Sequence, residues 1–171
     1  MKSRLLDYIP EFLPATMSGS KPGSGAAQEV GSEMEYGATL LEAHAARELP
    51  RFLVKLVMDS GPAGRAALRG PTGRALLPAL NWVARQAMPR DSADLKRKSA
   101  GIFGLELEGL SPEDKEFELA RHLVRLLRAV IDAVLAPGPG EPALRVRAAL
   151  ALAARRHAPG LLKRAARVQP R

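Results

Sequence analysis

Residues 111–135 constrain this chain more than any other segment. Ser111-Pro112-Glu113-Asp114 is a helix start, with a serine to cap, a proline at the first helical position and two acids in the first turn. Pro137-Gly138-Pro139-Gly140 stops the helix near Leu135. Its apolar positions are Phe117, Leu119, Ala120, Leu123, Val124, Leu127, Val130, Ile131, Val134 and Leu135, and they span an arc of about 160°. So wide an arc requires two packing neighbours, or one neighbour and a partner chain. The other face carries Glu118, Arg121, His122, Arg125, Arg128 and Asp132. It reads as a solvated face in which Glu118 pairs with Arg121 or His122, and Asp132 with Arg128.

The core available to such a helix is made of leucine and alanine. The chain of 171 residues has 29 Ala and 26 Leu but 7 aromatic residues, a balance that suits helices and not sheets. Its length suits one domain. The absence of cysteine excludes a disulfide scaffold, a thiolate zinc site and a cysteine nucleophile. No apolar run approaches the roughly 20 residues of a membrane span. Asp7, Pro10 and Glu11 interrupt the N-terminal apolar stretch, so no signal peptide is read there and a cytoplasmic location is expected. The expected fold is all-α: a small irregular helical bundle with a flexible N-terminal segment and a basic C-terminal one.

The chain divides into four parts on this reading. Residues 1–14 form an apolar peptide with Leu5, Leu6, Tyr8, Ile9, Phe12 and Leu13, suited to docking. Residues 15–32, rich in Gly, Ser and Pro, read as a flexible linker. Residues 33–136 form the helical domain, and 137–171 a Pro/Gly hinge followed by a basic Ala/Arg-rich segment. Inside the domain, helical periodicity runs over 33–58, with a break expected at Pro50. Gly61-Pro62-Ala63-Gly64-Arg65 is echoed nine residues on by Gly70-Pro71-Thr72-Gly73-Arg74. This is turn chemistry with helix following, and it lacks the Gly-Lys-Ser/Thr ending of a phosphate loop. A further helix is expected over 74–88, with Trp82 as a core or interface anchor. Residues 90–101, with Lys96-Arg97-Lys98, read as a solvated loop or short helix.

From Leu144 onward the chain carries Arg145, Arg147, Arg155, Arg156, Lys163, Arg164, Arg167 and Arg171 and no acid. That segment accounts for the whole net charge of +8. The basic residues from Arg145 to Arg167 are candidate contacts to anionic lipid or phosphate. The helical wheel is not clean, because Leu152 falls between Arg145 and Arg155, and Pro159-Gly160 breaks the helix.

No catalytic constellation is found. His44 and Glu48 lie one helical turn apart, as do Glu118 and His122, but the Glu-x-x-His repeats of a di-metal bundle are missing. His-Glu-x-x-His, Gly-x-Ser-x-Gly and Ser-x-x-Lys patterns are missing too. Glu106 and Glu108 flank Leu107 without a second functional group. The reading is a non-enzymatic protein with no catalytic, cofactor-binding or metal-binding residues and no cofactor.

Phe103-Gly104-Leu105-Glu106-Leu107-Glu108-Gly109-Leu110-Ser111-Pro112-Glu113-Asp114, continued by Glu116-Phe117-Glu118, Ala120-Arg121 and Val124-Arg125, resembles a family of small uncharacterised bacterial proteins. That family has FGLELEGLSPED followed by a helix of the EFEVARxFVR kind. Gly73-Arg74-Ala75-Leu76 with Val83-Ala84-Arg85 and Ala87-Met88-Pro89 is similar as well, as is the stretch around Leu40-Leu41-Glu42, so the resemblance spans roughly residues 33–135. The family has a Gly-rich apolar stretch, like a glycine zipper, where this chain has the polar run 90–102. The resemblance implies no reaction. It implies that FGLELEGLSPED is a shared turn and helix cap, and a recognition surface.

The expected function is therefore that of an interaction or adaptor protein. It would bind a protein partner or larger assembly through residues 1–14, Trp82 and the wide apolar arc. Alternatives are peripheral attachment to an anionic membrane and non-specific nucleic-acid binding, both through the basic end, with homo-oligomerisation open.

Overall fold

The computed structural model describes the main chain of residues 24–45, 47–88 and 93–168 and the side chains of 32–45, 47–88 and 97–163. The described residues form eight helices and no strand: α1 (Ser24–Ala45), α2 (Leu49–Asp59), α3 (Pro62–Arg69), α4 (Pro71–Ala87), α5 (Ala93–Phe103), α6 (Pro112–Leu135), α7 (Pro142–His157) and α8 (Pro159–Val168).

The helix anticipated after Ser111 is α6, and it forms as its ends require. Ser111 Oγ accepts from the Asp114 N–H at 3.1 Å, and Pro112 sits in the first turn. α6 is the axis of the bundle. α1 and α7 cover most of it, and α3, α4 and α5 close the remaining sides. From Lys115 to Ile131 every α6 side chain is buried or half-buried. The buried arc includes Leu126 and leaves Phe117 and Leu135 half-buried, a small rotation from the arc read in the sequence. The wide arc is thus consumed within the chain and is not left for a partner.

The other face of α6 is a correction too. It is not a solvated stripe, because α1 lies on it. Glu33, with its side chain 12% exposed, accepts from Arg125 Nε at 3.0 Å and Nη2 at 2.7 Å, the bidentate geometry of a strong ion pair. Arg128 Nη1 donates to Ser32 Oγ at 2.8 Å, and its guanidinium stands 5.4 Å from the Tyr36 ring centre. Gly37 brings the α1 backbone down onto the Arg121 stem, 3.2 Å from where a Cβ would stand. α1 starts at Ser24, inside the stretch read as linker.

The break near Pro50 is real but starts earlier. α1 closes at Ala45, with Arg47 in the left-handed region (φ 63°) and the Glu48 N–H bonded to the Ala43 carbonyl at 2.7 Å. α2 then starts with Pro50 in its first turn.

The Gly-Pro repeat makes two corners of different backbone, with Gly61 at φ 87° and Gly70 extended at φ −109°. Gly61 and Gly70 precede Pro62 and Pro71, the first residues of α3 and α4. The second glycine of each copy, Gly64 or Gly73, is buried against the end of the preceding helix. A Cβ on Gly64 would collide with the Val57 carbonyl oxygen, and one on Gly73 would stand 2.7 Å from Leu68 Cα.

Residues 93–103 form an 11-residue helix where a loop or short helix was anticipated, because Ser99, Ala100, Ile102 and Phe103 are buried. The C-terminal part is no appendage either. Val146, Ala149, Ala153 and Ala154 seat α7 on α6 and α4, and their small size permits the close approach. Ala158 and Leu161 belong to the same core, and Gly160 rests α8 on the main chain of Gly101 and Ile102.

Candidate docking face on helix α7

With its inner side committed to the core, α7 turns Leu144, Arg147, Ala148, Leu152, Arg155 and Arg156 outward. Leu144 is 58% exposed and Leu152 66% exposed, the two largest exposures among the large hydrophobic side chains described. They stand about 12 Å apart along the helix axis. No hydrogen bond or ion pair engages Arg147, Arg155 or Arg156 among the described residues. Within α7 the face is an interleaved set of leucines and cations, and the acid next to it in the chain is exposed Glu141 at the helix N-cap.

The other anticipated anion-binding residues are placed differently. Arg145 turns inward, and its Nη2 donates to the Val134 and Ala136 carbonyls at 2.6 Å each. It caps the end of α6 through that nitrogen, because α6 leaves carbonyls without helical partners there. Lys163 is exposed on α8. The side chains of Arg164 and Arg167, and the peptide with Leu5, Leu6, Tyr8, Ile9, Phe12 and Leu13, lie outside the described residues. Trp82 is 43% exposed on α4, so it is not a core residue. Leu76, Leu80, Val83, Ala84 and Ala87 take the core side of that helix and Trp82 falls on the opposite one.

The second outward feature is the turn that joins α5 to α6. Gly104 (φ 71°) and Gly109 (φ 81°) provide left-handed backbone at its two ends. The Leu105 N–H is tied to the Ala100 carbonyl at 3.0 Å. Leu105 and Leu107 are half-buried against the core, and Glu106 and Glu108 point out. Leu110, Glu113 and Asp114 extend the exposed surface, so the turn is acidic and bears an exposed leucine.

The histidines do not assemble a site. His44 Nε2 lies 2.8 Å from the Met88 carbonyl, and Glu48 pairs instead with Arg51 at 2.6 Å. Glu118 pairs with Arg121 at 2.8 Å, leaving His122 tilted against Phe103 with ring centres 5.9 Å apart. Burial, reinforced by Arg125, holds His122 below the ordinary histidine pKa; burial and Arg156 do the same to His157. Among the described residues no cluster of three or more His, Cys, Asp or Glu could hold a metal ion. No described helix is long and apolar enough to cross a membrane.

Sequence reasoning missed Leu144 and Leu152 as surface residues, although Leu152 on the arginine side of the wheel was the available signal. Comparison with protein-family models, curated proteins and solved structures finds no match to this chain.

Proposed function

We propose that this protein is a non-enzymatic helical docking protein that takes an acidic, leucine-bearing protein surface onto the outer face of α7. The observation that carries this reading is the exposure of Leu144 and Leu152 among arginines that no hydrogen bond or ion pair engages within the described residues. Covering two leucines gains about 1–2 kcal/mol each, and the arginines select an acidic partner and speed its encounter. The peptide 1–14 and Trp82 are further contacts in the proposal. The apolar arc of α6 is not, since the core consumes it.

A photo-crosslinking amino acid at Ala148, with one at exposed Arg65 on α3 as control, tests the reading in the producing cells. Adducts to a protein with an acidic segment should form from position 148 alone and disappear in Arg147→Glu/Arg155→Glu. Equal labelling from both positions, or none, refutes it. For the N-terminal peptide the deletion is residues 1–14, which stops short of α1 at Ser24.

A further inference from the structure

Resting on this docking reading, we infer that the occupant of the α7 face is the acidic α5–α6 turn of a second copy of the chain. The two surfaces match in sign and pattern. On α7, leucines and arginines interleave, with Arg155 falling between Leu144 and Leu152 around the exposed arc. A bilayer selects a helix whose cations and apolar residues lie on separate sides. An interleaved face instead fits a surface on which carboxylates and leucine are mixed. The turn is such a surface, with Glu106, Glu108, Leu110, Glu113 and Asp114 outward. Like the α7 arginines, Glu106 and Glu108 make no ion pair among the described residues.

Charge distribution agrees. The outward face of α7 carries three cations, Arg147, Arg155 and Arg156, and the α5–α6 turn carries four exposed acids, Glu106, Glu108, Glu113 and Asp114, so one copy can offer an acidic turn to the next copy's basic helix. The contact is head-to-tail, because each copy uses one surface as donor and the other as acceptor. Such contacts propagate into chains or close into rings and do not stop at a symmetric dimer by default. The two patches are small for a stable interface, so each contact is weak, with dissociation constants on the order of 10–1000 µM.

Sedimentation of the full chain over that concentration range, at about 50 mM and about 500 mM salt, tests the inference. The wild type should form concentration-dependent assemblies that dissolve in high salt. Arg147→Glu/Arg155→Glu and Glu106→Arg/Glu108→Arg should each be monomeric. An equimolar mixture of the two variants should assemble again, since each then carries the complement of the other. Leu144→Ser/Leu152→Ser should be monomeric without a charge change. All these positions are solvent-facing, and unchanged melting temperatures establish that the variants fold. A wild type that stays monomeric overturns the inference, as does assembly that survives both reversals. If the wild type is monomeric but the Ala148 adducts still depend on the arginines, the docking face stands and the second copy is not its occupant. Arginine-dependent flotation of a monomeric wild type with phosphatidylglycerol vesicles likewise overturns the inference and assigns the face to lipid.

Discussion

Arg145 Nη2 reaches back across the Pro137–Gly140 turn to two main-chain carbonyls at the end of α6, those of Val134 and Ala136. This arginine is a structural cap, unlike Arg147 two residues on. Arg145→Ala should lower stability by about 1–3 kcal/mol, since it removes a charged donor from two acceptors. Arg147→Ala should stay within about 0.5 kcal/mol of the wild type. Urea unfolding of the two variants checks the contrast, and equal effects would mean that the cap contributes nothing.

Glu33 is the carboxylate that lets α1 lie on the arginine face of α6. Glu33→Gln keeps the shape but removes the charge, and leaves Arg125 and Arg121 facing a neutral amide. The expected cost is about 1–3 kcal/mol, tempered by the partial exposure of Arg125. Because Arg128 also holds Ser32, amide hydrogen exchange should rise first along α1. Faster exchange confined to α7 and α8 instead would contradict this assignment.

Where a signal is local, the sequence displayed it. The start of α6 at Ser111-Pro112 and its stop before Pro137, the break near Pro50 and the break at Pro159 all come from capping and proline chemistry acting over a few residues. What stayed hidden depends on partners far away in the chain. Arg125 looks solvated until Glu33, 92 residues earlier, is laid against it. α5 reads as a solvated loop or short helix until the core buries Ile102 and Phe103. On the candidate docking face, the arginines were legible as a charged set. The exposure of Leu144 and the inward turn of Arg145 were not, because both depend on which side of α7 meets α6 and α4.

The paired corners make a prediction about glycine that composition alone would not. Gly64→Ala and Gly73→Ala each press a methyl group into the main chain of the preceding helix, and should cost about 2–4 kcal/mol. Gly101→Ala meets nothing within 4 Å and lies inside α5, so it should raise stability by about 0.5–1 kcal/mol. Melting temperatures of the three variants decide the matter. Tolerance at Gly64 and Gly73 would mean that the corners are not close-packed.

His122 and His157 should make the protein less stable in mild acid. Both are held below the ordinary value of 6.5, so near and below that pH the unfolded chain binds protons that the folded chain refuses. Stability is therefore full above about pH 6.5 and declines as the pH falls from there towards the folded-state values. The groups around His122 act in both directions: Arg125 and Arg121 oppose its protonation, and Glu118 and Glu33 favour it. Arg156 and Arg125 oppose protonation of His157, and Glu33 favours it. Asp59, held low by Lys55 and Tyr36, gives up its contribution only as the pH falls below about 3.8, so the two windows separate. Melting temperatures between pH 8 and pH 5 should fall for the wild type and fall less for His122→Gln/His157→Gln. A wild-type curve that is flat over that range, or parallel to the double variant's, would show that neither histidine resists protonation in the fold.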